Sequence, residues 1–195
     1  MLRVTLFASL GVIGLVVAPA AEAVPITFAT TLAPEVAGSS GSGSAVVVYD
    51  DASHLLSVSV EFSNLTEPTT VAHIHCCVDP PGTVGVATTP GTFPGFPAGV
   101  TSGTYAGTWS LLDPTSYTDG FFTASGGTVE GAEAALIGGI VAGRAYVNVH
   151  TEFAPGGEIR GFLAQVQVQV PEPGTVFLLM TGLLGVVAVR RRTSR

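Results

Sequence analysis

The clearest pattern in the chain is a strict alternation. Leu56, Val58, Val60 and Phe62 interleave with Leu55, Ser57, Ser59 and Glu61. A period of two marks a strand with one face buried and the other in water. Asp50-Asp51-Ala52-Ser53 stands between this stretch and Ala45–Tyr49, so the two read as a hairpin. Further strands are expected at Ile26–Leu32, Val71–Cys76, Thr104–Leu111, Arg144–Thr151 and Glu158–Val168. In the last of these the apolar positions change parity near Ala164, which calls for a bulge or an end to the domain there. One helix is expected near 128–140, with Val129, Ala132, Leu136 and Ile140 on its apolar face, although glycines at 131, 138 and 139 oppose it. Pro80–Gly99 is rich in Pro and Gly and reads as an irregular loop. Many short strands with Gly/Pro turns predict an all-β, antiparallel sandwich or barrel-like domain.

Both ends of the 195-residue chain break this pattern. Met1-Leu2-Arg3 leads into an apolar run from Val4 to Ala18, followed by Ala21-Glu22-Ala23. That is the form of a signal peptide over 1–23, with cleavage before Val24. At the other end, Pro171-Glu172-Pro173-Gly174 precedes a short apolar stretch over 175–189, then Arg190, Arg191, Arg192 and Arg195. Fifteen residues are few for a stable span, which needs about 20. The arginines would hold that end in the cytoplasm. The folded domain is therefore expected over 24–168 and a sorting tail over 169–195.

Removing both ends changes the charge. The whole chain is at −7, with seven Arg and no Lys. The middle holds twelve acids against Arg144 and Arg160 alone, so the exported domain is more acidic than the chain. With a pI near 4.9 and no basic patch, nucleic acid is excluded as a partner.

Candidate chemistry sits in two of the expected strands. His73 and His75 flank Ile74, so both imidazoles fall on one face. His150 ends Tyr146-Val147-Asn148-Val149-His150 on the polar side of that strand. A rigid sheet can converge three such imidazoles on copper or zinc. Cys76 and Glu158 are weaker candidates for a fourth group. The bland alternative is a hydrogen-bonded cluster joining the imidazoles to each other or to Asn148, Glu158 and Arg160. His54, beside the Asp50–Ser53 turn, reads as a solvated surface residue. Cys76 and Cys77 are the only cysteines. In an oxidising compartment they are disulfide candidates, and a bridge between neighbours requires the strand to end at Cys76. No P-loop, dinucleotide fingerprint or nucleophile triad is present.

Three of these stretches carry a family resemblance. Ala72-His73-Ile74-His75, Tyr146-Val147-Asn148-Val149-His150-Thr151 and Gly157-Glu158-Ile159-Arg160-Gly161, with Phe28-Ala29-Thr30-Thr31-Leu32 ahead of them, resemble the motifs of the CHRD domain. That domain was first named in chordin, an extracellular antagonist of a growth factor, and occurs in many exported bacterial proteins. The resemblance spans roughly 26 to 165 and implies an extracellular β-rich module without a settled activity. Cys76-Cys77 departs from it, since Gly commonly follows His-Ile-His. The order His73, His75, His150, Arg160 also resembles copper/zinc superoxide dismutase, whose further ligands have no counterpart in the His-free loop Pro80–Gly103.

Pro171, Glu172 and Pro173, the apolar stretch and Arg190, Arg191 and Arg192 together resemble the PEP-CTERM sorting signal of Gram-negative bacteria. The resemblance implies an exosortase-type processing enzyme, a transient inner-membrane anchor, and delivery to the envelope or an exopolysaccharide matrix of the kind found in biofilms. The expectation is thus an exported structural or adhesion-type surface module, not an enzyme. The alternatives are a copper- or zinc-binding protein and a degenerate superoxide-dismutase-like protein.

Overall fold

The computed structural model describes residues 25–166. The expected signal peptide, Pro171–Pro173, the 175–189 segment and the Arg cluster lie outside the described residues. Within them the chain is antiparallel β, as the alternation predicts. The strands are β1 (Ile26–Pro34), β2 (Ser42–Asp50), β3 (Leu55–Ser63), β4 (Thr69–Cys76), β5 (Gly103–Ser110), β6 (Ala145–Thr151), β7 (Ile159–Phe162) and β8 (Ala164–Gln165). Their order is β4-β6-β7-β1-β2-β3-β5, a sheet curled into a half-barrel, with β8 paired to β1. Among the described residues no helix is long and apolar enough to cross a membrane.

The β2–β3 hairpin follows from its sequence. Asp50 Oδ1 accepts the backbone N–H of Ala52 and of Ser53, closing the turn. Alternate positions Ala45, Val47 and Tyr49 then face inward opposite Leu56, Val58 and Val60. The parity change near Ala164 has a structural cause. The expected strand from Glu158 to Val168 is split at Leu163. β7 pairs with β6 and with the end of β1, whereas β8 pairs with the middle of β1.

Among the described residues there are two α-helices, one more than expected. Helix α1 (Asp119–Ala124) has six residues and is capped by Thr118, whose Oγ1 accepts from the Phe121 N–H. Its Asp-Gly start and short length leave no apolar stripe to read. Helix α2 (Val129–Val141) lies where expected, capped by Thr128, and packs on β4, β6 and β8. Its inward residues are Ala132, Glu133, Leu136, Gly139 and Ile140. Gly139 explains one of the opposing glycines: a Cβ there would overlap the sulfurs of Cys76 and Cys77. These two cysteines are joined by a disulfide directly after β4 ends.

β6 is buried along its whole length, on both faces. Val147 and Val149 face the core with Ile74 and Ile159. The opposite face is covered by the Pro/Gly-rich loop that follows β4. That loop also closes the free edge of β4: Ala87 N–H and Thr88 N–H donate to Ile74 O, and Phe93 N–H donates to Ala72 O. An unpaired edge is thereby hidden.

Candidate metal centre

β4 and β6 pair so that His73 stands opposite Asn148 and His75 opposite Tyr146. His150 lies two residues beyond Asn148 on the same face. The three imidazoles meet there. His73 Nδ1 and His75 Nε2 each lie 3.4 Å from His150 Nε2. The ligand atoms of all three residues fall within 4.8 Å of one another, and each residue is only 6% exposed.

The remaining ring nitrogens are all committed to backbone carbonyls. His73 Nε2 reaches Gly91 O at 3.0 Å, His75 Nδ1 reaches Val84 O at 2.7 Å, and His150 Nδ1 reaches Pro155 O at 2.9 Å. A carbonyl only accepts, so each of these nitrogens carries the proton. In the neutral rings the three inward nitrogens are then bare lone pairs. Burial lowers the pKa of all three residues. His73 falls from 6.5 to about 4, first through burial and then through the charge His150 would add. His75 and His150 shift the same way, burial outweighing the help of Val84 O and Pro155 O. Neutral imidazole with its outer N–H fixed by an acceptor is the state in which histidine ligates metal. A tetrahedral ion with bonds of about 2.0–2.1 Å places its ligands about 3.3–3.4 Å apart, which matches the two short separations.

The wall around the cluster is built from β6 and its neighbours β4 and β7. His75 stacks on Tyr146, with centroids 4.8 Å apart and planes within 8°. The Arg160 guanidinium lies 5.0 Å over the other partner of that stack, the Tyr146 ring. Arg160 pairs with Glu35 at 3.2 Å and donates to Pro81 O and Gly82 O. It thus pins the start of the loop that supplies Val84 O and Gly91 O.

A protein-family model for the CHRD domain matches residues 26–163. The chain belongs to the CHRD family. In this CHRD domain the three stretches that carry the resemblance form one wall, since β4, β6 and β7 are neighbours in the sheet. A second model, the PEP-CTERM protein-sorting motif, matches residues 169–192. That motif marks an exported protein of Gram-negative bacteria, transiently anchored in the membrane and processed by an exosortase-type enzyme. No curated protein and no solved structure matches the chain.

Other candidate residues of the CHRD domain lie elsewhere. Cys76 is bonded to Cys77 and packs under α2, on the face opposite His75. Glu158 is fully buried and accepts from Thr66 N–H at 2.7 Å, Ser39 Oγ at 2.7 Å and Thr151 Oγ1 at 2.6 Å. Burial alone would raise its pKa, but these donors, Thr151 first, hold it below the usual carboxylate range. It ties together the β1–β2 loop, the β3–β4 loop and the turn after His150. Neither Cys76 nor Glu158 joins the histidine group. No hydrogen bond joins the imidazoles to Asn148, Glu158 or Arg160; His150 Nε2 lies 3.4 Å from a nitrogen of each of the other two rings, and the outer nitrogens bond loop carbonyls.

His54 departs from its expected role. Its Nδ1 lies 2.9 Å from Glu133 Oε1, and that carboxylate also accepts from Tyr49 OH at 2.8 Å. The Glu133 hydrogen bond raises the His54 pKa. His54 therefore fastens the β2–β3 turn to α2 instead of standing free in solvent.

Proposed function

We propose that this exported CHRD protein binds a copper or zinc ion through His73, His75 and His150. One observation carries the proposal: three outward N–H groups are fixed on backbone carbonyls, so three inward lone pairs face one another in a buried pocket. Lone pairs in contact repel, and a bound cation turns that repulsion into three bonds. A purely hydrogen-bonded cluster would need a proton between the imidazoles, and the carbonyl partners draw the protons of the neutral rings outward. The proposal assigns binding, not catalysis. Arg160 is engaged by Glu35 and two loop carbonyls, which gives no support to a superoxide-dismutase-like role.

A structural or adhesion role at the surface is compatible with this binding. The outer face of β1, β2, β3 and β5 favours it. Thr27, Val48, Ser57 and Thr108 form one cross-strand row; Ala29, Val46, Ser59 and Ala106 form the next; Thr31, Ser44, Glu61 and Thr104 form the third. Of these twelve positions ten are small or polar, Val46 and Val48 are apolar, and only Glu61 is charged, an unusual surface for so acidic a domain and one suited to contact with neutral matrix polymers.

Titration of the exported chain with zinc and with copper tests the binding reading. One ion per chain is expected, and His73→Ala should abolish it. Absence of binding tighter than the micromolar range removes the proposal. Intact mass of material from the native surface tests the processing: a chain that begins at Val24 and lacks Arg190–Arg195 is expected.

A further inference from the structure

The three imidazoles are neutral ligands, and the nearby acids are already engaged. Glu158 holds Thr66, Ser39 and Thr151. Glu35 holds Arg160 and the Asn148 amide. The Cys76 sulfur is in the disulfide on the other face. Among the described residues, no fourth His, Cys, Asp or Glu completes the group. One uncommitted oxygen is close in the fold: Asn148 Oδ1 is buried without a partner. Asn148 stands opposite His73 and shares the face of His150, and its Nδ2 donates to Glu35 Oε2 at 3.1 Å and Gly156 O at 3.4 Å. That oxygen offers a lone pair and no net charge.

A divalent ion held only by neutral nitrogen would bring its whole charge into a buried pocket, and buried charge without a counter-charge is strongly disfavoured. Arg160 brings no relief, since it is a cation already paired with Glu35. We propose that the centre is open: a divalent ion bound by His73, His75 and His150 takes its remaining ligand from solution, and that ligand is a small anion. This inference rests on the metal-binding reading. Three protein ligands with one exchangeable position distinguish reactive zinc sites from closed structural ones. The charge balance selects an anion, and the slight exposure of the imidazoles selects a small one. Gly91, Pro155 and Gly156, behind the outer nitrogens of His73 and His150, are exposed, so only a thin layer of loop separates these rings from solvent.

The full exported chain loaded with cobalt(II) tests this, because the visible bands of cobalt report its coordination. Titration with azide should shift those bands saturably, with one azide per cobalt, and Asn148→Ala should retain the response. Bands that form but ignore azide would show a closed centre and overturn the inference while leaving metal binding intact. A response confined to Asn148→Ala would place the Asn148 oxygen in the fourth position, which also overturns it. If cobalt, zinc and copper all fail to bind, the metal-binding reading itself falls, and the inference with it.

Discussion

His73 Nδ1 and His150 Nε2 lie 3.4 Å apart, and the carbonyl partners of both rings make each of these nitrogens an acceptor when the rings are neutral. Each ring has given its hydrogen to a carbonyl on its far side, Gly91 O for His73 and Pro155 O for His150. His75 repeats the arrangement against Val84 O. The sheet supplies the convergence, and two loops supply the tautomers.

Metal should therefore stabilise the fold. At an ion concentration about 100 times Kd, the gain is about 2.7 kcal/mol. For a domain of this size that is roughly 5–10 °C in Tm. Thermal unfolding with and without zinc should show the rise in the parent protein and none in His150→Ala, because His150 makes both short nitrogen contacts.

Acid should weaken the metal-free fold. The three histidines have folded pKa values below the unfolded value near 6.5, so below that value the unfolded chain takes up more protons. Their contribution is complete above about pH 6.5. It is lost as pH falls toward the folded values, about 4 for His73. Urea midpoints measured from pH 7.5 to 4 should decline over that window. His73→Ala should flatten part of the decline.

Two neighbouring glycines in α2 should respond in opposite directions. Nothing lies within 4 Å of a Cβ at Gly138, so Gly138→Ala should stabilise by about 0.5–1 kcal/mol through helix propensity alone. At Gly139 the same change meets both sulfurs of the disulfide. The overlap should outweigh propensity and cost about 1–3 kcal/mol. Denaturant unfolding of the two variants checks the pair.

Much of this was legible in the chain. Alternation locates β3, the Asp50–Ser53 turn places β2 beside it, and the His-x-His spacing puts two imidazoles on one face. The polar side of Tyr146–His150 added the third. The carbonyl partners were not legible, because Val84 and Gly91 sit in a Pro/Gly loop with no period to read. Glu158 stood beside a turn and suggested a ligand. Its donors come from Ser39, Thr66 and Thr151, and the first two are so distant in sequence that no local pattern announces the buried network. The role of His54 leaves no local sign for the same reason, since Glu133 lies 79 residues away. The split at Leu163 did leave a trace, in the parity change of the valines.

X-ray absorption at the zinc edge of the loaded, exported chain tests the central claim most directly. The account predicts a shell of about three nitrogens at about 2.0–2.1 Å, with imidazole outer scattering and no sulfur. That shell should vanish in His150→Ala. A sulfur shell at about 2.3 Å would instead assign the ion to Cys76 and Cys77, and contradict a centre built from His73, His75 and His150.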